Sequence, residues 1–167
     1  MTKHPSTAPP LAHQLAVVGL GAYTGVMIAI GLGLGRYWLS LSPSAFVEWF
    51  TPNFWFLLPT VGVTLPVALW GSLWSWKLAS AAGPTAKRQW RTVVLLLLVT
   101  VVVTMAYHLP ANFRIWSGTL DDAQVERELG LWLAAHLLRV GPALVATVLA
   151  FRAAFQIGPP AAQPPVA

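Results

Sequence analysis

The sequence has no cysteine, which excludes disulfides, thiolate metal sites and cysteine nucleophiles. Charge is nearly as scarce. Five Asp plus Glu and ten Lys plus Arg make up 9% of 167 residues, where a water-soluble domain carries about a quarter. So few charges cannot cover a water-facing surface, and a soluble enzyme and a disordered chain are both excluded. What is present is apolar: 56% of residues are hydrophobic, mean hydropathy is +0.65, and there are 9 Trp, 14 Pro and 13 Gly. Trp concentrates at membrane interfaces, and Gly and Pro are tolerated in spanning helices. The composition is that of an integral membrane protein. The pI of about 10.3 reflects an excess of only five positive charges, scattered over helix ends, so nucleic acid is not expected as a partner.

A helix needs about 20 mostly apolar residues to cross the hydrocarbon core. Four such runs occur, at about 14–35, 54–76, 92–109 and 131–155. They predict a single all-α membrane domain, a four-helix bundle in contact with membrane lipids. The first span is rich in glycine (Gly19, Gly21, Gly25, Gly31, Gly33, Gly35), which lets a neighbouring helix approach closely. It is too long for a signal-peptide core and no small-residue cleavage site follows, so it is expected to remain as a span. Pro59 and Pro66 predict kinks in the second span and Gly141-Pro142 one in the fourth, while Pro110 is expected to end the third. Ser42-Pro43 reads as a helix start, with Phe46, Trp49 and Phe50 at helical spacing, which predicts a short interfacial helix after span one. Thr119-Leu-Asp-Asp122 resembles a capping box, so the fourth helix should begin outside the membrane near Leu120. The Pro- and Ala-rich tails, 1–13 and 156–167, are expected to lack fixed structure. Trp38, Trp49, Trp55, Trp70, Trp74, Trp76, Trp90 and Trp116 are expected to form an interfacial belt.

The connection between spans two and three carries Lys77, Lys87, Arg88 and Arg91 and no acid, whereas the third connection carries Asp121, Asp122, Glu126 and Glu128. By the positive-inside rule both termini are cytoplasmic and the acidic connections face outward, into the periplasm if the membrane is a bacterial inner membrane.

Titratable residues within spans are costly and therefore mark function by default. Val125, Leu129, Trp132, His136 and Arg139 recur at helical spacing and share one face of the fourth helix, with Glu128 on its edge. His108 lies at a comparable depth on the preceding antiparallel helix, followed by Asn112, Arg114 and Trp116. A polar cluster thus gathers at the outer ends of spans three and four, with no counterpart at the inner ends. Each member also has a structural reading: His136 as an interhelical hydrogen bond, His108 and Asn112 as caps, Arg114 as a headgroup contact, Arg139 as a snorkelling cation.

Three chemistries fit the set. Two histidines on adjacent helices are a possible axial pair for haem b, with Arg for propionates. A non-haem metal is disfavoured, because no span contains a carboxylate and only Glu128 at the rim remains to complete a ligand set. The third is cofactor-free: His takes a proton from an acidic lipophilic small molecule and Arg stabilises the resulting oxyanion.

Tyr107-His-Leu-Pro-Ala-Asn112-Phe-Arg-Ile-Trp116-Ser-Gly, followed by Trp132-Leu-Ala-Ala-His136-Leu-Leu-Arg139, resembles the anthrone-oxygenase-like family of small four-span membrane proteins. A Pro-x-Asn element ending span three and a Trp and Arg opening span four carry the resemblance over roughly residues 15–155. His108 stands where family members often have Asn. The resemblance implies oxidation of an anthrone to an anthraquinone by molecular oxygen without an established cofactor. On this reading His136, His108 and Arg139 are the catalytic candidates, and Asn112, Arg114, Trp132, Glu128 and Trp116 bind substrate. The competing reading is a non-catalytic subunit of a larger membrane complex or homo-oligomer, holding haem b between the histidines. A transporter is disfavoured, since no chain of polar residues crosses the bundle.

Overall fold

A computed structural model describes residues 9–155. The expected tails fall on residues 1–8 and 156–167, outside the described residues, but the N-terminal one is shorter than the expected 1–13, because Leu11–His13 already form the first turn of α1. Four long helices, α1 (Leu11–Leu39), α2 (Pro43–Leu78), α3 (Pro84–Trp116) and α4 (Asp122–Phe155), form an all-α membrane bundle. No strand occurs among the described residues. Each helix is longer than the roughly 20 residues that cross hydrocarbon, so each projects beyond it. All five acidic residues lie toward the end of the bundle formed by the 39–43 and 116–122 connections, the acidic end. Lys77, Lys87, Arg88, Arg91 and Arg152 lie toward the opposite, basic end.

The helix starts follow local chemistry. The Ser42 hydroxyl accepts from the Ala45 N–H at 3.3 Å, and Pro43 takes the first helical position, where its missing N–H costs nothing. This helix does not stop before the membrane. The separate interfacial helix expected after span one is the first three turns of α2, because Phe46, Phe50 and Phe54 continue one face across the boundary, with ring centroids 5.5 and 5.7 Å apart. At α4 the capping box is built one pair later than expected. The Asp121 carboxylate accepts from the Gln124 N–H at 2.8 Å, and the Gln124 side chain accepts from the Asp121 N–H at 3.0 Å.

Pro110 does not end α3. The turn before it widens into a π-turn over Thr104–His108, where the Leu109 N–H reaches back to the Thr104 carbonyl. That offset absorbs the hydrogen bond a proline cannot donate, and the helix resumes from Leu109 to Trp116. A second π-turn, Ala29–Leu34, interrupts α1 at the corresponding end of the bundle.

The first two helices pack backbone to backbone. A Cβ on Gly19 would stand 2.7 Å from the Ala68 nitrogen and one on Gly71 2.5 Å from the Ala16 nitrogen, so both contacts require glycine. Gly21, Gly25 and Gly33 face open space. A hydroxyl pair joins α1 to α4, Thr24 to Thr147 at 2.8 Å. The face of α4 read from the sequence is the buried one: Val125, Leu129, Trp132, His136 and Arg139, continued by Ala143, Ala146 and Ala150. The aromatic belt needs correction, because Trp38 and Trp90 are each 1% exposed and belong to the core. Trp38 continues the helical stripe of Leu20, Tyr23, Met27 and Ile30, so packing against α2 and α4 claims it ahead of the interface.

Candidate functional site

Between the four helices, toward the acidic end, lies a cavity of about 70 Å³. Its wall is apolar where α1 and α2 contribute Ile30, Trp38, Phe50 and Phe54. It is polar where α3 and α4 contribute Thr104, His108, Asn112, Trp132 and Arg139. Its rim is formed by Leu57, Leu58, Val61 and Leu109, and Leu58 is exposed on the lipid-facing surface.

Arg139 is 4% exposed, and among the described residues no carboxylate pairs with it. Its Nη2 donates to His136 Nδ1 at 2.7 Å and its Nη1 points to the Thr104 hydroxyl at 3.4 Å, while its Nε has no partner. The guanidinium also lies 5.5 Å from the centroid of the Trp132 ring. Burying an uncompensated cation is expensive, and a ring face and two neutral acceptors offset it only in part.

The two histidines differ in what they leave free. His136 Nε2 lies 2.8 Å from the Met27 carbonyl on α1. A carbonyl only accepts and a guanidinium only donates, so these partners assign the proton to Nε2 and the lone pair to Nδ1, and both nitrogens are engaged. Gly31 makes room for this imidazole: a Cβ there would stand 3.1 Å from Cδ2. His108, by contrast, has one long contact, Nδ1 to the Val103 carbonyl at 3.4 Å. Its Nε2 is buried and unpartnered. Nδ1 takes the proton by the same logic, leaving a free lone pair on Nε2. A third unpartnered atom is the buried indole Nε1 of Trp38, a residue of the α1 wall of the cavity.

Trp132 is the hub of this wall. It stacks on His136 at 5.0 Å with planes 10° apart, meets His108 edge-on at 4.8 Å, and takes the edge of Trp38 at 5.4 Å. Its own N–H donates to the Asn112 side-chain oxygen at 2.7 Å, a bond between α3 and α4 that fixes the ring.

The remaining sequence candidates lie elsewhere. Arg114 donates to Glu128 at 2.7 Å and Tyr107 donates to the same carboxylate oxygen at 3.1 Å, forming an α3–α4 latch outside the cavity. Trp116 packs edge-on against Trp55 at 5.8 Å and does not line the cavity. Conversely, the cavity takes in Thr104 and Phe54, which no sequence signal singles out, together with Trp38, expected in the interfacial belt, and Phe50, expected in a short interfacial helix. The periodicity of the α1 stripe carried a signal for Trp38. Nothing set the apolar lining apart from the same residue types facing lipid.

The cavity does not fit haem b. His136 Nε2, the atom an axial ligand needs, is spent on the α1 backbone, and Trp132 lies against both imidazoles, where a macrocycle would have to sit. Among the described residues no three His, Asp or Glu side chains gather as a metal set. The fold and site thus define an all-α membrane bundle with a buried cationic cavity lined by aromatics. No family model, curated protein or solved structure matches this chain.

Proposed function

We propose that the cavity receives a lipophilic phenol- or quinone-like molecule from the bilayer, and that the protein oxidises it. The observation that carries this reading is Arg139, buried and with no carboxylate partner among the described residues, lining one cavity with His108 and Trp38, each of which has a buried ring nitrogen without a hydrogen-bond partner. An oxygen that gains negative charge satisfies Arg139 and accepts from Trp38, and an acidic hydrogen on the same ligand is complementary to His108 Nε2. The central ring of such a molecule lies between Arg139 and His108, and the outer rings extend over Leu57, Leu58 and Val61 toward lipid.

For an anthrone, the benzylic proton passes to His108 Nε2 and the electron pair moves onto the carbonyl oxygen across the central ring, held by Arg139. Molecular oxygen adds at the resulting carbon, and the adduct loses water to leave the quinone carbonyl; one O2 is consumed and one H2O released for each CH2 converted to C=O. His108 acts as the base and Arg139 as the oxyanion partner. His136 positions Arg139 and is not free to take a proton itself. The test is anthrone-dependent oxygen uptake by membranes containing the wild type, His108→Ala or Arg139→Met. Loss in both variants is expected, and undiminished uptake in either contradicts the role assigned to it.

In the second reading the chain is a subunit of a larger membrane complex. It rests on Gly21, Gly25 and Gly33 of α1, which face outward with open space. In either case we place the basic end in the cytoplasm of a bacterial inner membrane, on the charge asymmetry of the two ends.

A further inference from the structure

A second site lies at the basic end of the bundle, on α2 and the start of α3. Trp70, Leu73, Trp74, Lys77 and Leu78 line a groove of about 470 Å³ on the membrane-facing side of α2. Leu73 and Lys77 also line an adjoining hollow of about 390 Å³, completed by Trp76, Ser80 and Lys87. The two form one surface, apolar toward the bilayer centre and cationic toward the end.

Two features of this surface point to the same ligand. Trp70 is 69% exposed and Trp74 39%, one helical turn apart, so the groove presents two indole faces outward. Lys77 and Lys87 converge on the hollow, and neither has a carboxylate partner among the described residues. Two ammonium groups call for an anion with several acceptor oxygens, and the contiguous apolar groove calls for hydrocarbon attached to it.

We infer that this surface binds one anionic phospholipid, its phosphate between Lys77 and Lys87 and an acyl chain along Trp70 and Trp74. Charge complementarity selects the headgroup, because no acidic residue lies at this end among the described residues. The site is separate from the cavity near Arg139.

Native mass spectrometry of the purified full-length protein with phosphatidylglycerol or phosphatidylcholine, at equal lipid concentration, reads this directly. Each lysine near a lipid phosphate contributes about fivefold in affinity, so one phosphatidylglycerol should be retained in preference to phosphatidylcholine by roughly tenfold or more. The double variant Lys77→Gln/Lys87→Gln should lose that preference. Arg88→Gln, at the same end but outside the hollow, should keep it. Equal retention of the two lipids overturns the proposal. So does loss of the preference in Arg88→Gln to the same extent, which means diffuse charge. Binding of inorganic phosphate strong enough to displace the lipid overturns the role of the acyl chain and reduces the hollow to a free-anion site. A dimer held by this face, with no lipid, overturns it in favour of a second copy.

Discussion

Arg139 donates to the same imidazole, His136, whose other nitrogen is anchored on the Met27 carbonyl of α1. The relay α1 backbone–His136–Arg139 holds the guanidinium at the cavity without neutralising it. The cavity is therefore poised for an external oxygen ligand, and His108 is left as the imidazole with a free lone pair.

Arg139→Met is expected to separate function from stability. Removing a buried cation that lacks a counter-ion relieves its desolvation, while the lost bond to His136 costs about 1 kcal/mol, so the variant should be as stable as wild type or more so. Thermal unfolding in detergent measures this, and the same protein should show no oxygen uptake with anthrone. A loss of more than about 3 kcal/mol would mark Arg139 as structural.

The two histidines should behave differently when truncated. His136→Ala removes two short hydrogen bonds and a stacked ring, and should cost about 2–4 kcal/mol. His108→Ala loses one 3.4 Å contact and an edge-on ring contact with Trp132 but no short hydrogen bond, so it should cost less, yet lower turnover by about 100-fold or more as a missing base does. Thermal midpoints beside turnover at saturating substrate test the contrast, and equal effects on both measures contradict it.

The Arg114–Glu128 latch lies outside the cavity, and the Arg114 side chain is 45% exposed. Glu128→Gln should cost no more than about 1 kcal/mol and leave substrate affinity within about twofold. A KM change of tenfold in that variant would bring Glu128 back into the binding site.

Glycine packing makes a sharper stability test. Gly71→Ala drives a Cβ into the Ala16 backbone, which cannot yield as a side chain can, and should destabilise by about 1–3 kcal/mol. Gly21→Ala, facing open space, should be neutral or stabilise by up to about 1 kcal/mol. Denaturant titration of the two variants side by side gives the comparison.

Much of this was legible in the sequence because charge is so rare in it. The buried face of α4 from Val125 to Arg139 follows from spacing alone, and so does the convergence of His108, Asn112, Trp132 and Arg139. The π-turn was not legible: one widened turn has no residue signature, so Pro110 read as a stop when its missing hydrogen bond was absorbed by Thr104–His108. Nor were the apolar walls, because Phe50 and Phe54 inside resemble Trp55 and Phe56 outside when the solvent is lipid. The division of labour between the histidines depended on which carbonyls lie beside them, and backbone positions are not encoded in residue type.

The most direct measurement is equilibrium binding of a hydroxyanthraquinone to the purified protein, followed by quenching of tryptophan fluorescence, since Trp38 and Trp132 line the cavity. Saturable quenching by wild type, weakened about tenfold or more in Arg139→Met where a charge-assisted hydrogen bond is lost, is the expected result. Equal affinity of the wild type and Arg139→Met would contradict the assignment of the cavity as an oxyanion-binding site.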